Sequence, residues 1–145
     1  MKKYGRLIGI DVGTRRVGLA RTDLLRTSAN PAGTFSPQEV FDRIGRFMKD
    51  DNHPVLAFVV GWPVSTAGTE TSATDMVVSF IQKLEKKFPD IPVYRTDEGY
   101  SSKRAVEIMI ESGTPRKKRR EKGRVDQAAA ALLLQYFLET NHDFD

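Results

Sequence analysis

The sequence predicts an α/β fold: one mixed five-stranded sheet, an antiparallel meander continued by parallel strands, with helices on its faces. Three observations carry this. Two apolar strands near the start are joined by a short Gly-Thr turn. A run without alternation, "VLAFVV" at 55–60, reads as a strand covered on both sides. After residue 36, segments of helical period separate the remaining strands, so that right-handed crossovers are the simplest path through the order.

Each element has its own signal. Residues 6–11 and 16–22 form a hairpin around "VGTRR". Residues 27–35 add a third strand, which Pro31 and Gly33 restrict to an edge. Ser36 reads as an N-cap, with Pro37 in the first turn and Glu39 completing a capping box. Val40, Phe41, Ile44, Phe47 and Met48 then share one helical face. "GWPVSTAG" reads as a loop, and a second helix opens at Ser72 and Asp75, turning Met76, Val77, Phe80, Ile81 and Leu84 inward. Residues 91–96 make a last strand ending on Asp97 and Glu98. A helix over 101–112 stops at Gly113. The final helix runs from Val125 to Leu138, with Val125, Ala128, Ala129, Leu132 and Tyr136 at helical spacing. There is no internal repeat and no linker, so residues 1–140 read as a single domain with a short tail, 141–145.

Composition narrows the classes. With 39% hydrophobic and 29% charged residues, the 145-residue chain suits an ordinary globular core. A net charge of +4 permits an anionic partner without proving one. The absence of cysteine excludes disulfides and thiolate metal sites. No run approaches the roughly 20 apolar residues of a membrane helix, and the start of the chain does not read as a signal peptide. The expected location is the cytoplasm, with no membrane partner.

Three acids attract chemistry. Asp11 ends the first strand, Glu98 follows the last, and Asp126 opens the final helix. In open α/β sheets, ligands gather beyond the carboxyl ends of the strands. Carboxylates packed there without cations would repel one another, and a divalent metal removes the conflict. Oxygen ligands without histidine or cysteine select Mg²⁺ or Mn²⁺, and such ions support phosphodiester hydrolysis by water. Taken singly, each acid also has a plain structural reading: a turn Asp, a solvated surface acid and a helix N-cap. Just before Asp126 comes "RKKRREKGR", in which Arg116, Lys117, Lys118, Arg119, Arg120, Lys122 and Arg124 are basic. Alone this is a solvated loop. Beside an acidic metal site it becomes a means of holding phosphates, and with no aromatic among the cations it favours backbone over base recognition. Arg16 is a further phosphate-contact candidate, or else a surface arginine of the hairpin.

"GIDVGTRRVGLARTD", "VVGWPVSTAG", "TDEGYSS" and "RVDQAAAALLLQYFL" together resemble the YqgF or RuvX family of RNase H-like nucleases over nearly the whole chain. The resemblance implies an RNase H-like fold and a role in maturing the 5′ end of the small-subunit ribosomal RNA precursor. It also implies Asp11, Glu98 and Asp126 as catalytic and metal-binding acids. The implied partners are precursor RNA or branched DNA and the small ribosomal subunit, the chain acting as a monomer or weak homodimer. Two positions depart from the family pattern: Gly99 stands where arginine is usual, and Trp62 where leucine is common. Arg104 is a possible substitute for the missing cation. The Trp62 ring is expected to pack on the sheet edge, or else to stack on a nucleotide.

Three other readings share these residues. A Holliday junction resolvase would act on DNA and need a dimer for two symmetric cuts. "GIDVGT" also resembles the phosphate loop of actin-like sugar kinases and chaperone ATPases, which close two such domains around a nucleotide; this chain supplies one. A non-catalytic RNA-binding protein would keep the scaffold and lose the chemistry.

Overall fold

The computed structural model describes residues 4–50, 53–62, 72–97 and 122–141. Five strands, β1 (Arg6–Val12), β2 (Val17–Thr22), β3 (Ala29–Phe35), β4 (Val55–Trp62) and β5 (Val93–Asp97), form one sheet in the order β3-β2-β1-β4-β5. β1 pairs antiparallel with β2 and parallel with β4. The central strand is therefore where the meander gives way to the parallel half. The helices among the described residues are α1 (Val40–Asp50), α2 (Ser72–Lys87) and α3 (Lys122–Thr140).

The strand period of two assigns the faces. Ile8, Ile10 and Val12 of β1, Val17 and Leu19 of β2, and Phe58 and Val60 of β4 pack with Val40 and Ile44 of α1 and with Val77, Phe80, Ile81 and Leu84 of α2. Leu7, Ala20, Ala57 and Val59 face the other way and pack with Ala130, Leu133, Leu134 and Phe137 of α3. Each buried Leu, Val or Phe contributes about 1.5–3 kcal/mol, so these two clusters hold the sheet between its helical layers. The expectation for 55–60 is met: Ala57 and Val59 serve one core, Phe58 and Val60 the other.

Local signals explain the boundaries. Ser36 Oγ accepts the Glu39 N–H at 3.2 Å, the capping contact expected before α1. At the β3 edge, Leu19 pairs with Gly33 and Ala20 with Pro31, so Ala32 is the extra residue of a bulge. Gly33 takes the φ of 111° that this bend requires and that a side chain would resist.

Three expectations change. Gly61 and Trp62, expected in a loop, extend β4 and pair with Thr96 and Asp97. The last helix starts at Lys122, so Asp126 lies one turn inside it and is not its N-cap; Lys122 and Arg124 belong to its first turn rather than to a loop. Its buried face is also rotated: Ala129, Ala130, Leu133, Leu134 and Phe137 face the sheet, while Tyr136 is 51% exposed. Residues 128–134 read AAAALLL, an apolar run that offers overlapping faces and leaves period alone unable to choose. Close packing against glycine makes the choice. An added Cβ at Gly9 would lie 2.9 Å from the Ala130 carbonyl oxygen, and one at Gly18 would collide with the carbonyl of Asp126. The helix lies almost on the backbone of β1 and β2.

Opposite the carboxyl end of β1, Asp23 organises the β2–β3 turn by accepting hydrogen bonds from the Thr27 hydroxyl and the N–H groups of Thr27 and Ser28. Burial alone would raise its pKa, but those hydrogen bonds outweigh it and hold the carboxyl below its ordinary value of 3.8.

Two outcomes follow for stability. Gly18→Ala should cost about 1–3 kcal/mol by overpacking, whereas Gly45→Ala on α1, where an added Cβ meets nothing within 4 Å, should stabilise by up to about 1 kcal/mol; urea midpoints compare them. The depressed Asp23 pKa adds stability that is complete above 3.8 and lost as pH falls through the lower folded value. Asp23→Asn should therefore be less stable than the wild type near neutrality, and the gap should narrow below that pH in acid-dependent thermal melts.

Candidate active site

Asp11 is the penultimate residue of the central strand, and its alternation with Leu7 and Gly9 puts it on the α3 face. Its register partner on β2 is Gly18. Gly18 is also the residue on which the backbone of Asp126 rests. One glycine is thus flanked by both acids, although 115 positions separate them in sequence (126 − 11). The rotated face of α3 completes the arrangement. Asp126 precedes Ala130 by four residues and Leu133 by seven, which places it on the sheet-facing stripe that those residues bury.

Arg16 closes the group from the β1–β2 turn. Its Nε donates to Asp126 Oδ2 at 2.8 Å, with the two side chains 38% and 25% exposed. The turn is held by the Gly13 N–H bonded to the Arg16 carbonyl at 2.9 Å, which fixes where the side chain begins. A pair this accessible adds about 0–1 kcal/mol to stability, little beside one buried leucine. Its effect is on orientation. Bound through one oxygen, Asp126 keeps Oδ1 without a protein partner among the described residues, and Arg16 keeps its two terminal amino groups on the same terms.

The three expected acids are treated unequally. The structure brings Asp11 and Asp126 together and adds Arg16. Glu98 lies outside the described residues, as do Arg116, Lys117, Lys118, Arg119, Arg120 and the helix expected at 101–112. β5 nevertheless runs to Asp97, the residue before Glu98, and Asp97 pairs with Trp62 at the carboxyl end of β4. Among the described residues no three acids or histidines form a metal cluster. Lys122 and Arg124 fall in the first turn of α3, beside Asp126 in sequence.

Sequence reasoning missed Gly18 and the tie between Arg16 and Asp126. A glycine inside the strand pattern "VGLA" signals close backbone approach, and that signal was there to be read. The partner of Arg16, 110 positions away, had no local sign.

The comparisons agree with this architecture. The family model described as "RuvX: Holliday junction resolvase" matches residues 5–140. A protein of Chlorobium luteolum named "Putative pre-16S rRNA nuclease" is 48% identical over 141 residues, covering 97% of this chain and 99% of its own. One of the same name from Chlorobium phaeobacteroides is 46% identical, covering 92% of each chain. Among solved structures, Thermus thermophilus RuvC in complex with a Holliday junction substrate superposes with a TM-score of 0.50 at 18% identity, over 96% of this chain and 98% of that one. That likeness carries the fold alone, which is RNase H-like. With its sheet order, its paired acids and these relatives, the chain belongs to the RuvX family.

Proposed function

We propose that this protein is a divalent-metal-dependent nuclease that hydrolyses RNA phosphodiester bonds in maturing the 5′ end of the small-subunit ribosomal RNA precursor. The observation that carries it is the meeting of Asp11 and Asp126 at Gly18, with Arg16 on one oxygen of Asp126. The names of the relatives support the substrate. Residues 1–140 would form the nuclease domain, residues 141–145 a tail, and the cytoplasm the place of action. Among the described residues, no helix is long and apolar enough to cross a membrane.

The donor chemistry fits Mg²⁺ or Mn²⁺. Carboxylate oxygens are hard ligands, and neither histidine of the sequence, His53 or His142, lies beside Asp11 or Asp126 in the chain. Asp11, Asp126 and Glu98 would hold the ion. When bound, such an ion supplies a water of lowered pKa and positive charge for the phosphoryl oxygens. The chain's own residues do the rest. Arg16 fixes the Asp126 carboxylate with Oδ1 presented, and its terminal N–H groups are placed to donate to a phosphate. Arg116, Lys117, Lys118, Arg119, Arg120, Lys122 and Arg124 draw the strand in by charge, so binding should weaken steeply with salt.

The family model's description favours a second reading, cleavage of a four-way DNA junction. Incubating the protein with precursor ribosomal RNA and with such a junction, with Mg²⁺, Mn²⁺ or chelator, separates the two by which polymer is cut. Asp11→Asn and Asp126→Asn should each lower RNA cleavage by about 100-fold or more, and the double variant should be little worse than either, because the acids act as a unit. Full cleavage by both single variants, with contaminating ribonuclease excluded, would sink the assignment.

Arg16→Met should change stability by less than about 1 kcal/mol and weaken Mn²⁺ binding by about 10-fold through a less ordered Asp126. Titration calorimetry reads the second effect and thermal melts the first. Tighter Mn²⁺ binding in this variant would show that Arg16 competes with the ion instead of orienting its ligand.

A further inference from the structure

Among the described residues the buried polar or charged side chains are Thr22, Arg26, Thr74 and Thr96. The first three have partners. Thr22 Oγ1 accepts the Leu7 N–H at 2.9 Å, Arg26 donates to the carbonyls of Gly5 and Leu24, and Thr74 is engaged as well. Thr96 is 8% exposed, and among the described residues its hydroxyl alone of this group has no hydrogen bond. Valine would fill the same space with no polar atom to satisfy. Protein interiors seldom leave such an atom unpaired, and a buried one is commonly completed by water or an ion.

Strand register shows which way the hydroxyl faces. Tyr94 packs with the α3 cluster, its ring 5.4 Å from that of Phe137. Thr96 follows Tyr94 by two residues on β5 and so faces the α3 side of the sheet. Asp11 and Asp126 are on that same side. The partner of Thr96 on β4 is Gly61. Val60, just before Gly61, pairs with Ile10, just before Asp11, and β1 and β4 run parallel. Gly61 is therefore level with Asp11. Asp11, Gly61 and Thr96 form one row across three strands, and its middle position has no side chain.

That row limits what can complete the hydroxyl. Two strand separations put the Asp11 and Thr96 backbones roughly 10 Å apart. Two side chains this short do not reach each other across that span for a direct hydrogen bond. A third group is needed. Asp11 is a hard oxygen donor, and Mg²⁺ held by such donors keeps several of its waters. A water of that shell needs a hydrogen-bond partner of its own, and a threonine hydroxyl supplies one.

We propose that Thr96 is a positioning residue whose hydroxyl hydrogen-bonds a water in the hydration shell of a divalent ion held by the Asp11–Asp126 pair. The assignment rests on the metal-dependent reading above and adds to it a residue that touches neither the ion nor the RNA. The test uses the 145-residue protein, stripped of metal with chelator, and the variants Thr96→Val and Thr96→Ser. Titration calorimetry with Mg²⁺ and with Mn²⁺ should show about 10-fold weaker binding by Thr96→Val, the effect of losing an outer-shell partner. Thr96→Ser, which keeps the hydroxyl, should retain most of the wild-type affinity. Metal-free Thr96→Val should meanwhile melt about 2–4 °C above metal-free wild type, because it sheds an unpaired buried hydroxyl. A hydroxyl with a purely structural bond would do the reverse, lowering the melting temperature and leaving metal affinity unchanged. That result, or equal metal affinity of Thr96→Val and wild type at any melting temperature, would overturn the assignment and leave the role of the acids standing. Equal weakening in Thr96→Ser would trace the loss to shape and overturn the part given to the hydroxyl. Wild-type protein that binds neither ion would instead overturn the metal reading itself, and the role of Thr96 with it.

Discussion

The candidate site depends on a helix backbone that comes into close contact with a strand backbone at Gly18. Side chains usually keep helix and sheet about 10 Å apart, and here the lack of one lets α3 come closer. The consequence is chemical. Asp126 comes down onto the strand that pairs with Asp11, and both acids flank Gly18 without a layer of apolar side chains between helix and strand there. Leu133, Leu134 and Phe137 supply the burial that holds the helix there. Hydrophobic packing thus provides the stability, and the glycine converts it into a position for charge.

Arg16 shows the same division. As a half-exposed ion pair it contributes little to folding, but bonding through Nε leaves the carboxylate and the guanidinium each with a free side. A bidentate pair would have been stronger and would have engaged both. The weaker geometry is the one compatible with a cation on Asp126 and an anion on Arg16.

Much of the fold was legible because it is written in local signals. The edge position of β3 followed from Pro31 and Gly33, and α1 from Ser36 and its apolar spacing. The run at 55–60 announced a strand buried twice. What was not legible is nonlocal. The phase of α3 could not be read from a stretch apolar on overlapping faces, and the N-cap reading of Asp126 failed because the helix begins four residues earlier, in a basic segment whose charges gave no helical period. Asp11 and Asp126 could be named as acids of interest from their places on a strand end and a helix. Only the sheet order and Gly18 tell that they are neighbours. The extension of β4 to Trp62 was hidden by the Gly-Trp-Pro signature of a loop.

The pair of acids joins the first strand of the chain to its last described helix. During synthesis Asp11 leaves the ribosome well before Asp126, so a nascent chain lacking α3 carries only one half of the pair. The topology thereby delays assembly of the two-acid site until α3 has been made, so the site cannot form on a chain that holds only the sheet.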